Sequence, residues 1–175
     1  GMTVAQLCSF SVTTNILAIL GLVEINFLFF SLIILAAFIA FYGVNKPPAR
    51  IFLGDVGSIP IGFLVGFVIV YNLQKSELII PFLIIIMYYL LDSSITLFLR
   101  MLNRENIFQA HSNHFYQKLI RKGYSHEFVL NKIIILNFTL LVLSITSVYW
   151  PLISLLTSFL ITIFFLYFCE SRNPK

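Results

Sequence analysis

Residues 78–99 read LIIPFLIIIMYYLLDSSITLFL. These 22 residues hold a single charge, Asp92. At 1.5 Å per residue a helix of this length rises about 33 Å, enough for a hydrocarbon core of about 30 Å. The stretch is too long for a buried strand and too apolar for the surface of a soluble protein. Five similar stretches surround it, at residues 3–22, 27–43, 58–73, 128–149 and 151–169. The expected fold is therefore all-α: a polytopic integral membrane protein with about six transmembrane helices, residues 1–175 forming one transmembrane domain. The stretch 58–73 is the weakest. It holds Pro60, Gly62 and Gly66, which predicts a helix packed closely on its neighbours or broken beside a cavity.

Composition agrees. The chain is 59% hydrophobic and 10% charged, with mean hydropathy +0.98, where soluble domains carry about 25% charged residues. A 175-residue core cannot hide that much apolar surface from water. A secreted domain, a disordered tail and a soluble nucleic-acid binder are excluded as functions. Cys8 and Cys169 lie in apolar stretches without paired spacing, so they read as small hydrophobes and not as a disulfide framework. The start at Gly1, Met2 and Thr3 has no basic region ahead of an apolar one and does not read as a signal peptide.

Charge placement gives orientation. With six spans, the two long polar connections share one side with both termini. That side holds Lys46, Arg50, Arg100, Arg104, Lys118, Arg121, Lys122, Lys132, Arg172 and Lys175; the other holds Lys75 alone. Positive charge collects on the cytoplasmic side, so both termini and both long loops are expected there.

The first loop carries Asn45, Lys46, Pro47, Pro48, Ala49 and Arg50, then Ile51, Phe52, Leu53, Gly54, Asp55, Val56, Gly57 and Ser58. Gly54 and Gly57 flank Asp55 and permit close approach to the backbone. Ser58 is a candidate cap for the following helix, whose N-terminal amides favour anions. A carboxylate in this setting, near Lys46 and Arg50, suits a divalent ion with its phosphates. It equally suits a helix-capping turn.

The second loop contains His111, Ser112, Asn113 and His114, then Phe115, Tyr116, Gln117, Lys118, Arg121 and Lys122. In a helix, His111 and His114 share a face at i, i+3 and suit a metal or a phosphate. The alternative is an amphipathic helix with its basic face on anionic lipid. Asp92, in mid-span, costs about 3 kcal/mol to insert. It reads as the wall of a site or as a hydrogen bond between spans.

Together the two loops resemble the polyprenyl-phosphate N-acetylhexosamine-1-phosphate transferases. These include the bacterial enzymes that start O-antigen, enterobacterial common antigen and teichoic acid chains, and the peptidoglycan translocase. Residues 45–58 resemble the family's N-x-P-A-x-x-F-L-G-D-x-G-S loop, with one additional residue at the Pro47, Pro48 pair. Residues 109–117 resemble its A-H-R-x-H-x-Y-Q loop, with Ser112 where many relatives carry Arg. The resemblance implies a magnesium-dependent transferase, with manganese as a substitute, in the bacterial cytoplasmic membrane. Its substrates are undecaprenyl phosphate and a UDP-N-acetylhexosamine, its product besides the lipid-linked sugar is UMP, and nucleic acid has no part. It makes Asp55 the metal ligand and Asp55, His111 and His114 catalytic. It places Asn45, Gly54, Gly57 and Ser58 around the substrate, with Lys118 or Arg121 replacing the missing arginine. Family members are about twice as long, and their aspartate-rich loop precedes this region. The chain thus resembles the C-terminal half. It needs an N-terminal half or a homo-oligomer partner, or it is a non-catalytic relic or partner subunit. A small channel or transporter, suggested by six spans and Asp92, accounts for neither loop.

Overall fold

The computed structural model describes residues 1–75, 78–106, 109 and 114–172, with Asp55 and Lys75 described by their backbone. These residues form seven helices and no strand: α1 (Met2–Ile19), α2 (Ile25–Asn45), α3 (Gly54–Lys75), α4 (Ile79–Leu102), α5 (Phe115–Arg121), α6 (His126–Thr146) and α7 (Pro151–Ser171). All but α5 are long and apolar enough to cross a membrane. The protein is a polytopic, all-α membrane protein.

The centre is α1, α4 and α6, with α2 packed on α1 and α7 packed on α4 and α6. Apolar side chains gain little from leaving lipid for a protein interior, so close packing and hydrogen bonds must hold the helices. Both are present. Gln6 on α1 donates to the carbonyl of Ile85 on α4 at 2.6 Å, and Ser144 on α6 donates to the carbonyl of Pro81 on α4 at 2.7 Å. Ser31 on α2 donates to Asn15 Oδ1 on α1. Ser154, Ser158 and Thr162 recur every four residues on α7 and are all buried. Such small residues let helix backbones approach.

Helix ends follow local chemistry. Ser125 caps α6, its Oγ accepting from the Phe128 amide at 3.1 Å, and Pro151 opens α7 at the position where a missing N–H costs nothing.

The stretch expected to be weakest forms an unbroken helix. Pro60 lies in the second turn of α3, where its missing N–H interrupts one bond near the helix start. The expected close packing is not found. A Cβ built on Gly62 or Gly66 meets nothing within 4 Å. Along one side Val56, Ile59, Phe63, Phe67 and Val70 are exposed, Val56 at 92%. The glycines of α3 therefore face open space and not a tight interface, and α4 is its principal contact.

The two long connections and both ends of the chain meet at one end of the bundle. Gly1 N donates to Asn45 Oδ1, and Lys122 Nζ donates to the carbonyl of Cys169 at 3.3 Å. The far end holds the tight turns, where Tyr71 donates to Glu24 Oε2 at 3.1 Å. The grouping inferred from the charges is the grouping found.

Candidate active site at the charged end of the bundle

A cavity of about 650 Å³ opens at the charged end. Its walls come from the start of α1, the end of α2, the connection 46–53, α5 and the start of α6. The two loops singled out in the sequence therefore face one space. From the first come Asn45, Pro47, Pro48, Phe52, Leu53 and Gly54; from the second come Tyr116, Gln117, Ile120 and Arg121. His126 joins them from the first turn of α6.

The first loop is shaped by its own side chains. Asn45 Nδ2 donates to the Ile51 carbonyl at 2.8 Å, folding the segment back over the end of α2. Arg50 N donates to the Val44 carbonyl at 2.9 Å. Gly54 has φ +60°, the left-handed region that only glycine enters at no cost. It turns the chain into α3, and Asp55 is the second residue of that helix. An acidic residue in a first turn complements the helix dipole. Gly57 lies under Leu53: an added Cβ comes within 2.6 Å of its side chain. Ser58 is not the cap it was expected to be. The helix begins four residues earlier, because the Gly54 turn starts it there, and Ser58 is exposed in the second turn.

The second loop is organised from α4. Tyr88, Asp92, Thr96 and Arg100 recur every four residues on one buried face. Arg100, 5% exposed, pairs with Glu105 at 3.0 Å and donates to the carbonyls of Asn106 and Gln109, the latter at 3.2 Å. Asp92 is 3% exposed. Its Oδ1 accepts from the Phe115 amide at 3.0 Å, and its Oδ2 lies 3.2 Å from His114 Nδ1.

His114 is the N-cap of α5, with ψ near 147°, so that helix starts after it. His111 and the side chain of Asp55 lie outside the described residues. Lys118 and Arg121 part company. Lys118 pairs with Glu170 of α7 at 2.6 Å and sits over the Phe115 ring, whereas Arg121 lines the cavity. Gln117 accepts from the His114 amide and donates to the Tyr116 hydroxyl, both at 3.2 Å. Burial pushes the Tyr116 phenol above its ordinary value; the negative charge of Asp92 pushes the same way, and the Gln117 hydrogen bond opposes them.

Sequence reasoning left Tyr116, Gln117, Arg100 and His126 unassigned. Tyr116 and Gln117 stood inside the second motif, two and one residues before Lys118. For Arg100 the signal was its place two turns after an intramembrane aspartate.

Among the described residues no three His, Cys, Asp or Glu side chains gather into a metal-binding group, and the described cavity wall has no carboxylate. Its donors include Asn45, Gln117, Arg121 and His126, which suit anions and amides better than a magnesium ion. The described residues alone do not make a metal site.

Both motif-bearing loops thus contribute to the wall of one cavity at the charged end of a multi-pass bundle. Residues 1–73 match the family described as glycosyl transferase family 4. It is 30% identical over 112 residues to a Bacillus subtilis protein named "Probable undecaprenyl-phosphate N-acetylglucosaminyl 1-phosphate transferase"; this covers 62% of the chain and 31% of that protein. It is 39% identical over 64 residues to the phospho-N-acetylmuramoyl-pentapeptide-transferase of Nautilia profundicola, covering 37% of the chain and 17% of the relative. The matched regions thus span a third or less of either relative. No solved structure matches the chain.

Proposed function

We propose that residues 1–175 are one transmembrane domain, the C-terminal part of a glycosyl-1-phosphate transferase of the bacterial cytoplasmic membrane. The reaction moves an N-acetylhexosamine 1-phosphate from a UDP-sugar to undecaprenyl phosphate, early in the assembly of an envelope polysaccharide such as O-antigen. One observation carries this reading: both family-like loops wall a single cavity at the positively charged, and so cytoplasmic, end of an apolar bundle.

The chemistry follows from what must meet there. An oxygen of the lipid phosphate attacks the sugar-linked phosphorus. The bond from that phosphorus to the bridging oxygen breaks, and UMP leaves with that oxygen. Such a transfer needs alignment and charge neutralisation more than covalent help. Arg121 on the cavity wall supplies a fixed cation. His114, at the head of α5, and His111 contact phosphate. Asn45 and Gly54 shape the pocket floor, with Gly57 and Ser58 behind them in α3. Lys118 reinforces the field from its pair with Glu170. Asp55 would give magnesium one carboxylate, the other ligands being phosphate oxygens and water. That ion supplies charge neutralisation between two anionic reactants. The remaining acidic groups belong to an upstream half. A membrane protein that has lost catalysis, or a partner subunit, is the second reading.

The test is reconstitution. The chain is co-expressed with a candidate upstream half and supplied with undecaprenyl phosphate, UDP-N-acetylglucosamine and magnesium. UMP release that depends on both halves supports the reading. No release with any upstream half that completes the family pattern selects the second one.

A further inference from the structure

The cations of α5 and of the end of α4 are engaged. Lys118 pairs with Glu170, Lys122 Nζ donates to the carbonyls of Cys169 and Glu170, Arg100 pairs with Glu105, and Arg121 lines the cavity. Lys132 of α6 and Arg172, the C-cap of α7, are placed differently. Among the described residues neither makes an ion pair. Of the nearby acids, Glu170 is taken by Lys118, and the exposed Glu127 pairs with neither.

Both cations lie over one ring. Lys132 Nζ is 5.6 Å from the centroid of Phe128, and Arg172 Cζ is 5.9 Å from it. Arg172 also lies 4.6 Å from the Phe168 ring and 5.5 Å from the Tyr124 ring, and its Nη1 donates to the Tyr124 hydroxyl at 3.3 Å. Phe128 is in the first turn of α6. Lys132 leaves the helix one turn deeper, inside the apolar run, and its ammonium reaches back to that ring. This is the posture of a lysine with its stem in hydrocarbon and its charge at headgroup level. An aromatic face attracts a cation without neutralising it, and a stacked guanidinium keeps N–H groups at its edge for phosphate.

The surface below the pair faces lipid. Ile135, one turn beyond Lys132, is 59% exposed, and Phe164, one turn before Phe168, is 71% exposed. The cavity takes a different set of α6 residues, His126, Val129 and Leu130. A phosphate that meets both cations at this depth, beside outward apolar side chains, is best supplied by a lipid.

We propose that Lys132 and Arg172 bind the phosphodiester of an anionic phospholipid in the leaflet at the charged end of the bundle, its acyl chains lying along α6 and α7. This rests on the membrane fold and not on the transferase reading.

The experiment is native mass spectrometry of the full chain in detergent micelles, titrated with phosphatidylglycerol or phosphatidylcholine. One phosphatidylglycerol should be held in preference to phosphatidylcholine. Lys132→Gln and Arg172→Gln should each weaken it about fivefold, and together about 30-fold, the effect of one and of two basic residues at an anionic surface. Lys46→Gln with Arg104→Gln removes the same charge from the same end of the bundle and should leave the affinity unchanged. An equal loss in that control, or no loss in the first pair, overturns the proposal. Millimolar inorganic phosphate should not displace the lipid; displacement makes the site one for free phosphate and overturns it too. So does a first pair that loses undecaprenyl phosphate and keeps phosphatidylglycerol. Circular dichroism checks the fold, and if the double variant does not fold the two single variants decide.

Discussion

The two sides of the cavity are built differently. The α4–α5 side is tied down. Arg100 gathers the start of the second loop, Asp92 seats α5, and Lys118 and Lys122 fasten it to the end of α7. The α3 side is bare. Asp55 sits on a helix whose principal contact is α4 and whose apolar residues look outward. The difference teaches which half of the chemistry this chain completes by itself. The groups that the proposed reaction assigns to phosphate sit on a packed element. The acidic position arrives on a helix with room for another membrane segment against it.

The strongest test of that division is Asp55→Asn in the reconstituted enzyme. If Asp55 is the acidic contribution of α3, activity should fall on the order of 10³-fold, the scale of losing one fixed electrostatic partner of a transition state. UMP release measured against added magnesium checks it. Full activity would remove Asp55 from the site and leave the tied side to act without it.

The next test is packing. Leu17→Ala empties a fully buried position in α1. In lipid the transfer part of the usual cost largely vanishes, but the lost dispersion contacts remain, so about 2 kcal/mol is expected, the low end of the soluble range. Phe63→Ala on α3 removes a ring that is 74% exposed and should change stability by less than about 0.5 kcal/mol. Denaturant titrations in detergent micelles compare the two. Equal losses would mean that α3 is packed as firmly as α1. Adding the upstream half should raise the cost of Phe63→Ala if that half covers α3.

Within the tied side, Arg100→Leu removes a charged donor from two loop carbonyls. A hydrogen bond from a charged group contributes about 1.5–3 kcal/mol. Much of this one is local, so the loss should show as faster proteolysis between residues 103 and 114, with helix content unchanged by circular dichroism. An unchanged cleavage rate would show that the loop holds its course without Arg100.

How much of this the sequence disclosed depends on the kind of signal. Six long apolar runs announce six helices because lipid leaves the backbone no other way to satisfy itself. The ten-to-one placement of Lys and Arg forecast that both loops share one end. The Gly54, Asp55, Gly57 spacing located the start of α3 to within a few residues, although Ser58 was misread as the cap because periodicity does not say where φ turns positive. The start of α5 was hidden for a similar reason: its first amide, on Phe115, donates to Asp92, 23 residues earlier. No local pattern carries that contact. The looseness of α3 was equally hidden, since a glycine that lets helices touch and one that faces open space look alike in one sequence.

The smallest effect sharpens the comparison at one atom. Tyr116 lies on α5, and its phenol is held above the ordinary value of about 10, first by burial and then by the charge of Asp92. The folded protein therefore binds the phenolic proton more tightly than the unfolded chain. Its contribution to stability is complete below the unfolded value and is lost as pH rises through the folded one. An ultraviolet titration of the unaltered chain minus Tyr116→Phe isolates this residue among eight tyrosines. The midpoint should lie above 10. In Asp92→Asn it should fall but stay above 10, because burial is the larger cause and survives the substitution. A midpoint at 10 in the unaltered chain would place Tyr116 in bulk water, and the tied side of the cavity would then be as open as the side that carries Asp55.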